Sequence, residues 1–177
     1  MRLRKLLDTD AAGMLEWMKD PEVNKNFRFP FAQMTPERVL KFIREARQDA
    51  GNRHYAVAGD DDGYLGTVSL KHIDTEAKSA EYAICICPKA QGTGAAAFAT
   101  REILRIAFLQ LGLNRVYLNV LSRNARAVRF YRKIGFIYEG EFKQHLAIRG
   151  EILDLQWFRM LKEEYLKSDL YRLRESN

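Results

Sequence analysis

The sequence predicts an α+β fold, a mixed α/β arrangement in which helices flank a central, mostly antiparallel sheet. Three observations lead there. Two helical patterns separate a short first strand from the rest of the sheet, and three strand-like runs joined by polar turns follow them. Only the stretch from about residue 80 to 121 has the strand–helix–strand form of a parallel crossover. With 177 residues, 47% of them hydrophobic, the chain can bury a real core and is expected to be one domain, 1–177.

Each element has its own signal. "RLRKL" alternates weakly and reads as an edge strand. In "TDAAGMLEWMKDPEV", Thr9 or Asp10 caps a short helix carrying Met14, Leu15, Trp17 and Met18, and Pro21 stops it. Past the aromatic loop "NFRFPFAQM", Thr35 and Pro36 start a second helix, with Val39, Leu40, Ile43 and Ala46 at helical spacing until Gly51. "RHYAVAGDDDGYLGTVSLKHID" is strand, polar turn, strand, and "SAEYAICIC" is a third strand. A glycine turn then opens a long amphipathic helix ending at Gly112, and "NRVYLNVLS" is a strand. "RNARAVRFYRKIGF" is a shorter helix between an Asn cap and a glycine stop. The remainder predicts a hairpin turning at Arg149–Gly150 and a charged C-terminal helix.

Composition narrows the function classes. A formal charge of +6 favours anionic partners in general, but the cations are spread along the chain and no aromatic RNA-binding motif occurs, so nucleic acid is not expected. No apolar run approaches the roughly 20 residues of a spanning helix, and the opening is too short in apolar length for a signal peptide. A cytoplasmic protein with no membrane partner is the expectation. Cys85 and Cys87, two apart in a strand, cannot bridge each other there and read as core residues, and no Cys/His cluster has metal spacing.

The turn in "PKAQGTGAAAFAT" is a ready anion site, because the first N–H groups of a helix lack internal partners and the helix dipole is positive there. "GTGAAA" also fits a dinucleotide fingerprint with Ala third, but no acid follows about 20 residues on to hold a ribose. A Walker loop would need a Lys-Ser/Thr pair, which is absent. Small residues needed only for packing are the remaining alternative. Downstream, Asn124 and Tyr131 lie seven apart, two helical turns on one face.

Taken together, Gln91, Gly94 and Ala96 resemble a Q/R-x-x-G-x-G/A pattern. Asn124, Ala127, Tyr131, Lys133, Gly135 and Phe136 resemble N-x-x-A-x-x-x-Y-x-K-x-G-F. Both are similar to the motifs of the GCN5-related N-acetyltransferases (GNAT), and the order of elements agrees across nearly the whole chain. The resemblance implies a GNAT fold with a splayed central sheet and acetyl-CoA as co-substrate. By it, backbone N–H groups of Gln91, Gly92, Thr93, Gly94, Ala95 and Ala96 hold the pyrophosphate. The pantetheine arm pairs near Ile84, Ile86 and Cys87, and Asn124, Ala127 and Tyr131 complete the cofactor side. Ala96 stands where the motif also permits Gly, which bears on the loop's shape.

Transfer to an amine needs a base for the substrate ammonium and is helped by an acid for the leaving thiolate. The resemblance implies Tyr131 as the acid. Glu81, at the head of the strand leading to the turn, is the candidate base, since a glutamate near this place serves some members; a solvated strand-end carboxylate is its plainer reading. His72 is the alternative base, its ordinary pKa lying near neutrality. His145, Glu151 and Asp154 on the final hairpin are candidates for shaping the acceptor pocket. No histidine adjoins Cys85 or Cys87 to generate a thiolate, so direct attack is expected rather than an acetyl-enzyme.

Within the family, local stretches such as "EWMKDPEV" and "EGEFKQHLAIRGEILDLQWFRM" resemble the branch of ribosomal-protein, spermidine and amino-sugar acetyltransferases. They look most like the flagellin-sugar, pseudaminic acid pathway enzymes. The expected acceptor is therefore a small-molecule amine, ranked first as a nucleotide-linked amino sugar, which suits a basic protein. A base could stack on Phe27, Phe29 and Phe31 beside Lys25 and Arg28, unless that loop is a hydrophobic lid. The alternatives are a polyamine or protein N-terminus as acceptor, or a non-catalytic CoA-binding module. A homodimer is left open.

Overall fold

A computed structural model of the chain describes residues 1–172. Its strands are β1 (Arg2–Lys5), β2 (Arg53–Ala58), β3 (Tyr64–Asp74), β4 (Ser79–Ile86), β5 (Arg115–Leu121), β6 (Ile137–Ile148) and β7 (Glu151–Leu161). They are hydrogen-bonded in the order β1-β2-β3-β4-β5-β7-β6, a mostly antiparallel open sheet. The helices are α1 (Ala11–Lys19), α2 (Pro21–Asn24), α3 (Pro36–Ala46), α4 (Ala95–Arg105), α5 (Ala125–Lys133), α6 (Lys162–Lys167) and α7 (Asp169–Arg172). The chain divides into two compact units: Met1–Ile73 with Tyr82–Ile103, and Asp74–Glu81 with the chain from Leu104 onward.

The first unit is built around Leu6, Met14, Trp17, Met18, Val39, Ile43, Ala56, Tyr64 and Cys87, so the apolar faces of α1 and α3 predicted from spacing do close a core. Local chemistry departs from the expectation at three places. Asp10 does not cap α1 with its side chain. Its buried carboxylate instead receives both terminal nitrogens of Arg4, at 2.7 and 2.8 Å, and the N–H of Leu7. A guanidinium fork binds a buried carboxylate more strongly than a helix N–H does. Pro21 starts α2 as well as ending α1: its missing N–H costs nothing in a first turn, and Asp20 accepts the N–H of Glu22 at 2.8 Å. α3 stops at Ala46 rather than Gly51, because the Asp49 carboxylate takes the N–H groups of Gly51 and Asn52 and turns the chain. Gly66 lets β3 approach β4, since a Cβ there would lie 2.4 Å from the Cys85 carbonyl oxygen.

The second unit holds the crossover the sequence predicts. β4 and β5 run parallel with three register pairs, Ser79↔Arg115, Ala80↔Val116 and Glu81↔Tyr117. β5 then pairs antiparallel with β7 along its whole length, and β7 with β6. The hairpin turns at Arg149 (φ 50°) and Gly150 (φ 84°), two successive left-handed residues whose twist matches the strands. After α4 the chain widens into a π-type turn, Ile106–Gln110, before left-handed Gly112 ends it. The C-terminal helical stretch is broken: Ser168 bonds the Tyr165 carbonyl with its N–H and its hydroxyl, splitting α6 from α7.

Candidate active site

The glycine turn has the backbone that its residues require. Gly92 (φ 83°) and Gly94 (φ 89°) occupy the left-handed region that other residues resist, and a Cβ at either would point into open space. Three side chains brace the turn, each donating to a carbonyl. Gln91 Nε2 reaches the Ile86 oxygen at 3.2 Å, Thr93 Oγ1 the Ala90 oxygen at 2.7 Å, and Thr100 Oγ1 the Ala96 oxygen at 2.7 Å. The single proton of Thr100 is thus spent on Ala96, so the Tyr82 hydroxyl, 2.8 Å away, donates to Thr100. This buried relay links β4 to the first turn of α4, whose leading N–H groups have no helical partner. The arrangement can hold an anion at a site of positive helix dipole.

Along β4, the Cys87 N–H donates to Leu65 in β3 at 2.8 Å and its carbonyl accepts from Ala90, so both backbone groups of Cys87 are used within the protein. Ile86 turns its groups to the opposite edge, where its carbonyl meets Gln91. Ile84 is half-buried. Burial pushes the Cys87 thiol up to about 11, and that of Cys85 further up, the charge of Cys87 adding to its burial. Neither is a thiolate at neutral pH.

In the second unit, Asn124 accepts the N–H of Ala127 at 3.2 Å and so caps α5. Tyr131, 8% exposed, has its ring among Phe130, Phe136 and Phe158 at centroid distances of 5.5 to 6.2 Å. Glu81 is half-buried and accepts from Asn119 Nδ2 at 3.4 Å. Burial first, then the Glu81 charge, raises the Tyr117 hydroxyl pKa, while Arg115 opposes this. The register places Glu81 beside Tyr117 and Asn119 beside Trp157 on one face of the sheet. Rings continue there from Tyr117 to Trp157 (6.2 Å), to Phe142 (5.5 Å) and to His145 (5.1 Å). The Trp157 indole nitrogen is buried and has no hydrogen-bond partner among the described residues.

The other candidates have surroundings of their own. His72 is exposed near the end of β3 in a left-handed conformation (φ 51°), its N–H bonded to Asn52. Asp154 binds Lys143 at 2.9 Å and the Gln144 N–H, and Glu151 pairs with Arg123, so both brace the hairpin. Phe27 and Phe31 pack on Trp17 at 5.9 and 5.1 Å as an apolar wall, and Lys25 pairs with Glu22; Phe29 is 53% exposed. Sequence reasoning overlooked Asn119, Tyr117 and Trp157. The period of two in "VYLNVL" puts Tyr117 and Asn119 on one face, but their meeting with Glu81 and Trp157 depends on strand pairing. Among the described residues, no three His, Cys, Asp or Glu side chains gather as metal ligands, and no helix is long and apolar enough to cross a membrane.

Comparison with known proteins bears on the chemistry. A family model described as acetyltransferase (GNAT) domain matches residues 1–137. A spermidine N(1)-acetyltransferase of Escherichia coli is 32% identical over 90% of this chain and 80% of its own length. The acetyltransferase PseH of Campylobacter jejuni is 24% identical over 77% of this chain and 83% of its own. The crystal structure of the Vibrio cholerae spermidine N-acetyltransferase in complex with CoA and spermine superposes with a TM-score of 0.85 at 25% identity, covering 93% of this chain and 97% of that one.

Proposed function

The chain belongs to the GNAT family of acetyltransferases and uses acetyl-CoA, and from that premise we propose that it acetylates a primary amine of a linear polyamine. The observation that carries this reading is the 32% identity to a spermidine acetyltransferase across nine-tenths of the chain. It reverses the order in which the sequence ranked the acceptors. The Glu81 carboxylate on an aromatic sheet face also suits a cation better than a sugar diphosphate.

The acetyl thioester supplies the activated acyl group. The glycine turn and the first N–H groups of α4 hold the pyrophosphate, and Ile84 and Ile86 guide the pantetheine arm by their backbone. Glu81 takes a proton from the substrate ammonium, directly or through water. The freed amine attacks the thioester carbonyl carbon and forms the C–N bond. As the adduct collapses and the C–S bond breaks, Tyr131 protonates the departing thiolate, and the second nitrogen proton passes through water to restore the tyrosine hydroxyl. The raised thiol pKa values of Cys85 and Cys87 favour this direct attack over an acetyl-cysteine.

A nucleotide-linked amino sugar is the second reading, favoured by the similarity to PseH and by the net charge of +6. CoA release measured with spermidine, a nucleotide-linked amino sugar and an N-terminal peptide separates the two. Spermidine is expected to lead in kcat/KM by at least tenfold, about 1.4 kcal/mol of transition-state discrimination. A tenfold lead for the sugar or the peptide overturns the polyamine reading.

A further inference from the structure

We propose that the row of rings Tyr117, Trp157 and Phe142, running away from Glu81 on one face of the second unit, is the track along which the acceptor's alkyl-ammonium tail lies. It therefore selects long polyamines over short amines. The proposal rests on the polyamine reading above and names the residues that would enforce it.

The geometry has a direction. Glu81 pairs in register with Tyr117, and Asn119, which donates to Glu81, pairs with Trp157. The carboxylate therefore marks the reacting end. From Tyr117 the ring centroids step 6.2 Å to Trp157 and 5.5 Å to Phe142, tilted by 34° and 50°. Adjacent strands bring these rings together, Tyr117 from β5, Trp157 from β7 and Phe142 from β6, so a substrate crossing them runs across the strands. Aromatic faces attract ammonium groups through their quadrupole and methylenes through dispersion, so alternating charges and methylenes match a row of rings.

The protein already shows the preference: the Arg115 guanidinium lies 5.9 Å from the Tyr117 centroid while its charge is balanced by Glu139. Phe142 is 50% exposed, so its ring is open to a ligand. A monoamine would reach Glu81 and gain nothing from Phe142. A triamine could place a second ammonium over the rings.

Initial rates with acetyl-CoA and propylamine, 1,4-diaminobutane or spermidine test this in the wild type, Phe142→Leu, Phe142→Tyr and Trp157→Leu. The spermidine-to-propylamine ratio of kcat/KM should fall about tenfold in Phe142→Leu and in Trp157→Leu, chiefly through the KM for spermidine, and should be retained in Phe142→Tyr. Phe142 is half in solvent, so its variants should fold even where Trp157→Leu does not. A wild-type preference for spermidine that survives Phe142→Leu overturns the track. A wild type with no preference among the three amines overturns the polyamine reading itself, and the track with it, before any variant is made.

Discussion

The roles proposed for Tyr131 and Glu81 differ, so their variants should fail differently. Tyr131→Phe keeps the ring among Phe130, Phe136 and Phe158 and removes only the hydroxyl. If that hydroxyl protonates the thiolate, kcat should drop by roughly 10²–10⁴-fold with the KM for acetyl-CoA nearly unchanged. Full activity would end the acid assignment. Glu81→Gln keeps the shape and the Asn119 contact; if Glu81 is the base, the deficit should shrink as pH rises and free amine becomes abundant. A pH profile parallel to the wild type, with His72→Ala inactive, would move the base to His72.

These two residues were within reach of the sequence through the family resemblance: Tyr131 by its place in the N-x-x-A-x-x-x-Y pattern, Glu81 by its place at the head of the strand before the glycine turn. Asn119 and Trp157 were not. They meet only when β5 pairs with β7, and a period-two strand does not announce its neighbour. Asp10 shows the converse error, a residue whose local pattern says cap while Arg4, from another element, claims its carboxylate.

At the level of the element, the turn and α4 are braced by side-chain donors aimed at carbonyls, and the Gln91 N–H itself donates to the Pro88 carbonyl at 3.2 Å, so an arriving anion would meet the N–H groups that follow it. The Tyr82–Thr100–Ala96 relay fixes the first turn of α4 to β4. Thr100→Val, close in shape, removes both bonds of the relay and should cost about 1 kcal/mol in urea denaturation. It should also weaken acetyl-CoA binding severalfold by calorimetry while leaving the KM for the amine alone. Unchanged binding in a destabilised variant would make the relay purely structural. Gly94→Ala forces a Cβ into the left-handed region and should weaken binding without touching the core. The existence and order of the elements other than α2 were legible from periodicity, and the turn from its glycines. The early end of α3 and the break between α6 and α7 were not, because Asp49 and Ser168 act through side-chain bonds to backbone that many loop residues could equally make.

For the molecule as a whole, the sequence predicts one domain while the contacts gather into two units, with β4 and α4 each running from one into the other. A strand and a helix shared in this way favour unfolding as one cooperative transition. The two tryptophans make that measurable, since Trp17 belongs to the first unit and Trp157 to the second. Trp17 is buried with its indole donating to Tyr64 at 3.2 Å, and Trp157 stands among Tyr117 and Phe142. Each unit thus carries its own fluorophore. Trp157→Phe should emit from the first unit alone and Trp17→Phe from the second, and their urea midpoints should coincide with that of each variant's far-ultraviolet circular dichroism. A fluorescence midpoint that departs from the circular-dichroism midpoint of the same variant would mean two folding units. If the proposed track holds the acceptor, the emission of Trp157 in Trp17→Phe should shift as spermidine is titrated in, an optical reporter of binding.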